Sequence, residues 1–170
     1  MSQTETAAGP RPELMQAMTD FEAKLKANRR LPERLIELVR LRIAFWNQCR
    51  PCMSIRYGEA VDDGLTEELV CSLEKPAAAP NLTPAEQAAV VFADRFASDH
   101  LSIGPDILMS LAEHFDEGEI AELGMHAAFF TGFGRMGAVF DTGAELPVGP
   151  RRPDGERLTP WGVEQPIVVR

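Results

Sequence analysis

The sequence predicts an all-α fold, a single compact domain of about six to seven helices, on three observations. Apolar residues recur at steps of three and four through nearly every periodic segment, and none alternates convincingly with period two. The punctuation between segments is that of helix ends: Pro or Thr at starts, Gly and Pro at stops. Finally, 45% apolar and 25% charged residues in a chain of 170 suit one globular domain with a real core and no need of disulfide staples.

Residues 1 to about 11 are polar with two prolines close by and read as a flexible lead-in. Residues 12–27 carry Leu14, Met18, Phe21 and Leu25 at helical spacing, and Pro32 opens a second helix bearing Leu35, Leu38, Val39, Ile43 and Trp46. Asn47–Pro51 interrupts it, since proline suits the first turn of a new helix better than the interior of an old one. A third helix is expected from Cys49–Cys52 to about Asp62, with Gly64 as its stop. Thr66 caps a short helix to about Glu74, and KPAAAPNLTP is a loop. Thr83, Pro84 and Glu86 spell a capping box before a helix with Ala85, Ala88, Ala89, Phe92 and Phe96 on one face. A short helix over about Pro105–His114 and a long one over about Glu117–Phe140 complete a helical domain of residues 12–140.

The long helix is apolar on two sides: Ile120, Leu123, Ala127, Phe130 and Gly134 on one, Met125, Phe129, Met136 and Phe140 on another. It needs two partners, and in a domain this small a neighbouring subunit is the expected second. Residues 141–170 hold five prolines and four glycines but end WGVEQPIVVR, so an arm packed on its own subunit or a neighbour is expected.

Charge and cysteine usage narrow the function classes. The formal charge of −9 sets nucleic acid and anionic membrane surfaces aside as partners. The longest stretch without a charged residue, Leu123 to Gly134, is too short to span a bilayer. The N-terminus has neither the basic start nor the apolar core of a secretory signal, so a cytoplasmic location is expected. In a reducing compartment a C-x-x-C pair points to catalysis or metal binding rather than to structural stapling.

Gly132, Gly134 and Gly137 match G-x-G-x-x-G, but helical sequence precedes them and no helix follows, so close helix packing is the better reading than a dinucleotide site. Cys49-Arg50-Pro51-Cys52 is more informative. At a helix start, unpaired N–H groups and the positive dipole end favour a thiolate, and Arg50 and Arg56 add positive potential. Such a pair can also close to a disulfide and be re-reduced. Zinc is the rival reading, yet only Cys71 and His126 are at hand as further ligands, so neither a metal nor a cofactor is expected. Glu37 lies off the main apolar stripe of its helix. If that helix turns back at Asn47–Pro51, Glu37 comes level with residues 56–60, and Glu37, Arg56 and Cys52 fall in one line, as a catalytic set or as an ion pair tying the hairpin. His126 is a candidate proton carrier or a packed core residue, and Tyr57 a pocket wall or a packed aromatic. His100 and His114 suit helix ends, and Cys71 reads as a small buried residue.

Glu37, eleven intervening residues, Cys49, two more, Cys52 and a further position four on resemble the active-site signature of the carboxymuconolactone decarboxylase / alkylhydroperoxidase D-like family, in its C-x-x-C branch. RLIELVRLRIAFWNQCRPC and HFDEGEIAELGMHAAFFTGFGRMGAVF are similar to that family's helices, and the resemblance covers roughly residues 30–140. It implies an all-helical subunit assembled as a trimer or hexamer, and an antioxidant peroxidase, an oxidoreductase that takes electrons from a dithiol donor to reduce a small peroxide. Cys52 matches the attacking cysteine, Cys49 the resolving one and Glu37 a proton relay. Family peroxidases carry histidine where this chain has Arg56, and arginine holds its proton at any working pH, so it can stabilise a thiolate but not relay a proton. The alternatives are cofactor-free decarboxylation of a lactone acid, which does not depend on the cysteines, and a non-catalytic oligomeric ligand binder.

Overall fold

A computed structural model describes residues 12–140, 146–147 and 156–170. The lead-in 1–11 and the first part of the C-terminal arm lie largely outside the described residues. The chain falls into two compact units, one ending at Arg30 and one beginning at Leu31. The first holds α1 (Pro12–Ala27), with Glu13 in its first turn and Lys24 and Lys26 in its last, each charge complementing the helix dipole.

The second unit is built around α2 (Glu33–Asn47), which is buried from Leu35 through Ala44. A helix buried on every side needs partners on every side. Packed on it are α6 (Pro84–Ser98) and α8 (Glu117–Phe140), while α7 (Pro105–Ala112) lies against α6 and α8. Leu38, Val39, Leu41, Ile43, Val90, Leu111 and Leu123 are fully enclosed in one apolar cluster. Each such side chain contributes about 1.5–3 kcal/mol through burial. The expected capping box starts α6: Thr83 accepts from the Glu86 N–H and Glu86 accepts from the Thr83 N–H. Arg34 also donates to Glu86 at 2.7 Å, which ties the start of α6 to α2.

The all-α class holds, with eight α-helices among the described residues against the six to seven expected. The main difference lies after the cysteine pair. Instead of one helix to Asp62, the chain forms α3 (Arg50–Ser54), a short strand β1 (Ile55–Tyr57) and α4 (Gly58–Asp62), followed by α5 (Glu67–Ser72). β1 pairs in parallel with β2 (Ile167–Val169), Ile55 opposite Ile167 and Tyr57 opposite Val169. Three-residue strands are too short to show a period-two signal, and this partner lies more than a hundred residues away in sequence. The described end of the arm therefore packs on its own subunit. Two further ends move slightly: α5 stops at Ser72 rather than Glu74, and α7 at Ala112 rather than His114.

Of the three glycines of the false fingerprint, two do allow close packing. A Cβ on Gly134 would collide with the Asn47 side chain, and one on Gly137 would sit 3.1 Å from the Cys49 sulfur, whereas Gly132 faces open space. Asn47 uses the room at Gly134 to donate to the Phe130 carbonyl at 2.9 Å, joining the end of α2 to α8.

Candidate active site

The turn that creates the site is made by Gln48. Its backbone is left-handed, at φ 54° and ψ 38°, and the N–H groups of Gln48 and Cys49 close the end of α2 on the carbonyls of Phe45 and Ala44. Glycine would adopt this conformation more cheaply. Glutamine has another use there, since its side chain exchanges two hydrogen bonds with the backbone of Leu158, at 2.9 and 3.0 Å. Cys49 then caps α3, its sulfur accepting from the Cys52 N–H at 3.4 Å, and Pro51 occupies the first turn, where no N–H is needed.

Cys49 and Cys52 are joined in a disulfide, as the spacing allowed. The two sulfurs have different surroundings. Cys49 is wholly enclosed against α8 at Gly137, while Cys52 is only half-buried. Any reagent reaching the pair meets Cys52 first.

Glu37 is linked to the pair only through Arg40, and its expected partner Arg56 lies elsewhere. Glu37 is 2% exposed, and its carboxylate is held by two nitrogens along one edge of the Arg40 guanidinium at 2.6 and 2.7 Å and by the Tyr57 N–H at 3.1 Å. Arg40 also donates to the carbonyls of Cys52 at 2.6 Å and Ile55 at 3.0 Å. Its guanidinium lies 5.0 Å from the centre of the Tyr57 ring, so Tyr57 serves as a packed aromatic under that cation.

Arg56 does not pair with Glu37. Fully enclosed, it reaches the Glu67 carboxylate at 2.8 and 3.0 Å and the carbonyls of Met53, Ile55 and Pro160 at 2.8–2.9 Å. Those contacts use all five donors of a guanidinium. The expected line of Glu37, Arg56 and Cys52 is thus replaced by two separate ion pairs, Glu37–Arg40 and Arg56–Glu67. Together the two arginines satisfy the carbonyls of Cys52, Met53 and Ile55 that a longer helix would have bonded, and this lets α3 end after five residues.

Arg40, Glu67 and Gln48 were missed by sequence reasoning. Arg40 had a signal: it stands three residues after Glu37, so both project from one side of the helix. Glu67 and Gln48 had none, because their partners come from distant segments. His126 is buried on α8, stacked on Phe130 at 5.7 Å and 3.8 Å from Glu122, beyond hydrogen-bond length. Eleven residues separate it from Gly137, roughly 16 Å along the helix, too far for direct proton exchange with the pair. Cys71 is exposed rather than buried; it sits on α5 with its sulfur 3.5 Å from the Trp161 carbonyl. Val70 and Leu73, three residues apart, take the buried side, which leaves Cys71 on the outer side of a short helix. Among the described residues no group of His, Cys, Asp or Glu is arranged to hold a metal ion.

Comparison with known proteins bears on the family and the fold. The model of the carboxymuconolactone decarboxylase family matches residues 12–95, just under half of the chain. Over that stretch the chain matches this family. Two solved structures share its fold. One is a protein of unknown function from Agrobacterium tumefaciens, described as a candidate antioxidant-defence protein AhpD, at 23% identity and TM-score 0.68, covering 77% of this chain and 90% of its own. The other is the alkylhydroperoxidase AhpD core of an uncharacterized peroxidase-related protein from Ralstonia eutropha JMP134, at 19% identity and TM-score 0.56, covering 76% and 69%. No curated protein matches the sequence. Among the described residues no helix is long and apolar enough to cross a membrane.

Proposed function

We propose that the protein is a thiol-dependent peroxide reductase that cycles Cys49 and Cys52 between dithiol and disulfide. The observation that carries this reading is the asymmetry of the pair: a disulfide at a helix start with Cys49 fully enclosed and Cys52 only half-buried. In the reduced state the Cys52 thiolate attacks the terminal oxygen of a peroxide: an S–O bond forms, the O–O bond breaks, the peroxide takes two electrons from the sulfur and leaves as alkoxide or hydroxide that water protonates, and Cys52 is left as a sulfenic acid. Cys49 attacks that sulfur, water departs, and the disulfide forms. A dithiol donor then returns two electrons by exchange through a mixed disulfide. The N-terminal end of α3 supplies the field that favours thiolate at Cys52. Glu37 and Arg40 act here as positioning residues, holding the Cys52 carbonyl through Arg40.

A pair that must be re-reduced fits a reducing compartment, so the cytoplasm is the proposed location. Met125, Met136 and Phe140, on the second apolar side of α8, are 41–68% exposed in the isolated chain. We assign that side to contact between copies, in a trimer or hexamer. Peroxide consumption with several dithiol donors tests the function. Turnover is expected in the natural chain and none in Cys52→Ser, with Cys49→Ser stalling at the sulfenic acid. Turnover that survives Cys52→Ser overturns the reading. Release of carbon dioxide from a lactone acid by that same variant favours the decarboxylase alternative.

A further inference from the structure

The C-terminal strap, Glu156–Arg170, fastens almost entirely to residues that flank the cysteine pair. Leu158 is held by Gln48, the residue before Cys49. The Pro160 carbonyl accepts from Arg56, four residues after Cys52. Trp161 lies against Phe45 at 4.8 Å, and Arg157 stands over the Trp46 ring at 4.7 Å. β2 then runs beside β1, and Arg170 ends the strap on Asp62 at 2.9 Å. Leu158 and Val163 pack with Cys52 around the same two buried residues, Ala44 and Met53. The strap is therefore a wall of the approach to the accessible sulfur.

We propose that this strap sets which reductant reaches the disulfide, admitting small dithiols and holding back a folded protein dithiol. The inference rests on the reading of the pair as a redox couple. Exchange requires a donor thiolate to attack the Cys52 sulfur nearly in line with the S–S bond; Cys49 leaves as thiolate, and the second donor thiol then displaces Cys52, so two electrons pass and the donor leaves as its own disulfide. A small dithiol needs only the half-buried Cys52. A protein dithiol must lay a surface over Cys52, and Leu158 and Val163 occupy part of that footprint. Arg56 is the latch, since one enclosed guanidinium joins α3, α5 and the strap.

The test uses the full oxidised chain and follows disulfide reduction by dithiothreitol and by reduced thioredoxin, trapping thiols by alkylation for mass analysis. Gln48→Gly keeps the left-handed turn and removes both bonds to Leu158. Gly58→Ala loosens the other end, because a Cβ there would stand 3.2 Å from the Val169 carbonyl and 2.7 Å from the Arg170 side chain. Gln48→Gly is expected to raise the thioredoxin rate about tenfold relative to the dithiothreitol rate, as loss of two hydrogen bonds to the strap would allow, and Gly58→Ala to raise the same ratio through its steric contact. An unchanged ratio in both variants, or equal acceleration by both reductants, overturns the strap as a selector. If one variant does not fold, the other decides. Peroxide is absent from this assay, so failure of the peroxidase reading and failure of the strap are separate results.

Discussion

Replacing Arg40 by methionine should be among the most destabilising single changes in the second unit. Arg40 is 5% exposed, and it neutralises a Glu37 carboxylate that is 2% exposed. Methionine fills much of the same space but leaves the carboxylate with the Tyr57 N–H as its remaining described donor, and strips the Cys52 carbonyl of a 2.6 Å bond. Removing one partner of a buried ion pair costs about 3–5 kcal/mol, because the other charge stays desolvated. In a chain of this size that lowers the melting temperature by roughly 6–20 °C. Denaturation of the oxidised protein measures the loss, and a double-mutant cycle with Glu37→Gln identifies its source. The double variant should be more stable than the sum of the two single losses predicts, by about 1 kcal/mol or more, because no unpaired charge remains. A loss below about 1 kcal/mol for Arg40→Met, or strict additivity in the cycle, would refute the argument that this pair is a closed, desolvated unit.

Three further outcomes are expected. Iodoacetamide applied to the native oxidised protein should label Cys71 alone, with Cys49 and Cys52 labelled only after reduction; peptide mapping reads this directly, and protection of Cys71 would contradict its exposed position. Gly134→Ala should destabilise by about 1–3 kcal/mol by pushing Asn47 off the Phe130 carbonyl, whereas Gly132→Ala should be neutral or stabilising by up to about 1 kcal/mol, since it gains helix propensity in open space. The hydrogen bond from the Arg170 guanidinium holds the exposed Asp62 carboxyl below its ordinary pKa. A depressed carboxyl stabilises the fold above its unfolded pKa and loses that contribution as pH falls through the folded value. Protection of the β2 amides, corrected for the intrinsic exchange rate at each pH, should therefore fall at acid pH in the natural chain, and Asp62→Asn should flatten that dependence; equal profiles would show that the pair does not anchor the strap.

The helices were legible because their causes are local. The steps of α2, the Thr83–Glu86 box and the limits of α8 at Glu117 and Phe140 follow from periodicity and capping, which act over a few residues. The cysteine pair and its place at a helix start were legible for the same reason: Pro51 and the two-residue spacing dictate them locally. Even the Glu37–Arg40 pair was written in a three-residue step along one helix, although the apolar stripe drew attention away from it. What only the tertiary structure decided is which distant groups meet. Arg56 turned from Glu37 to Glu67 and Pro160, α3 stopped after five residues because two arginine side chains took its carbonyls, and the last strand found β1 from the far end of the chain. Enclosed polar groups must find partners wherever packing delivers them, and packing between segments a hundred residues apart leaves no period in the sequence.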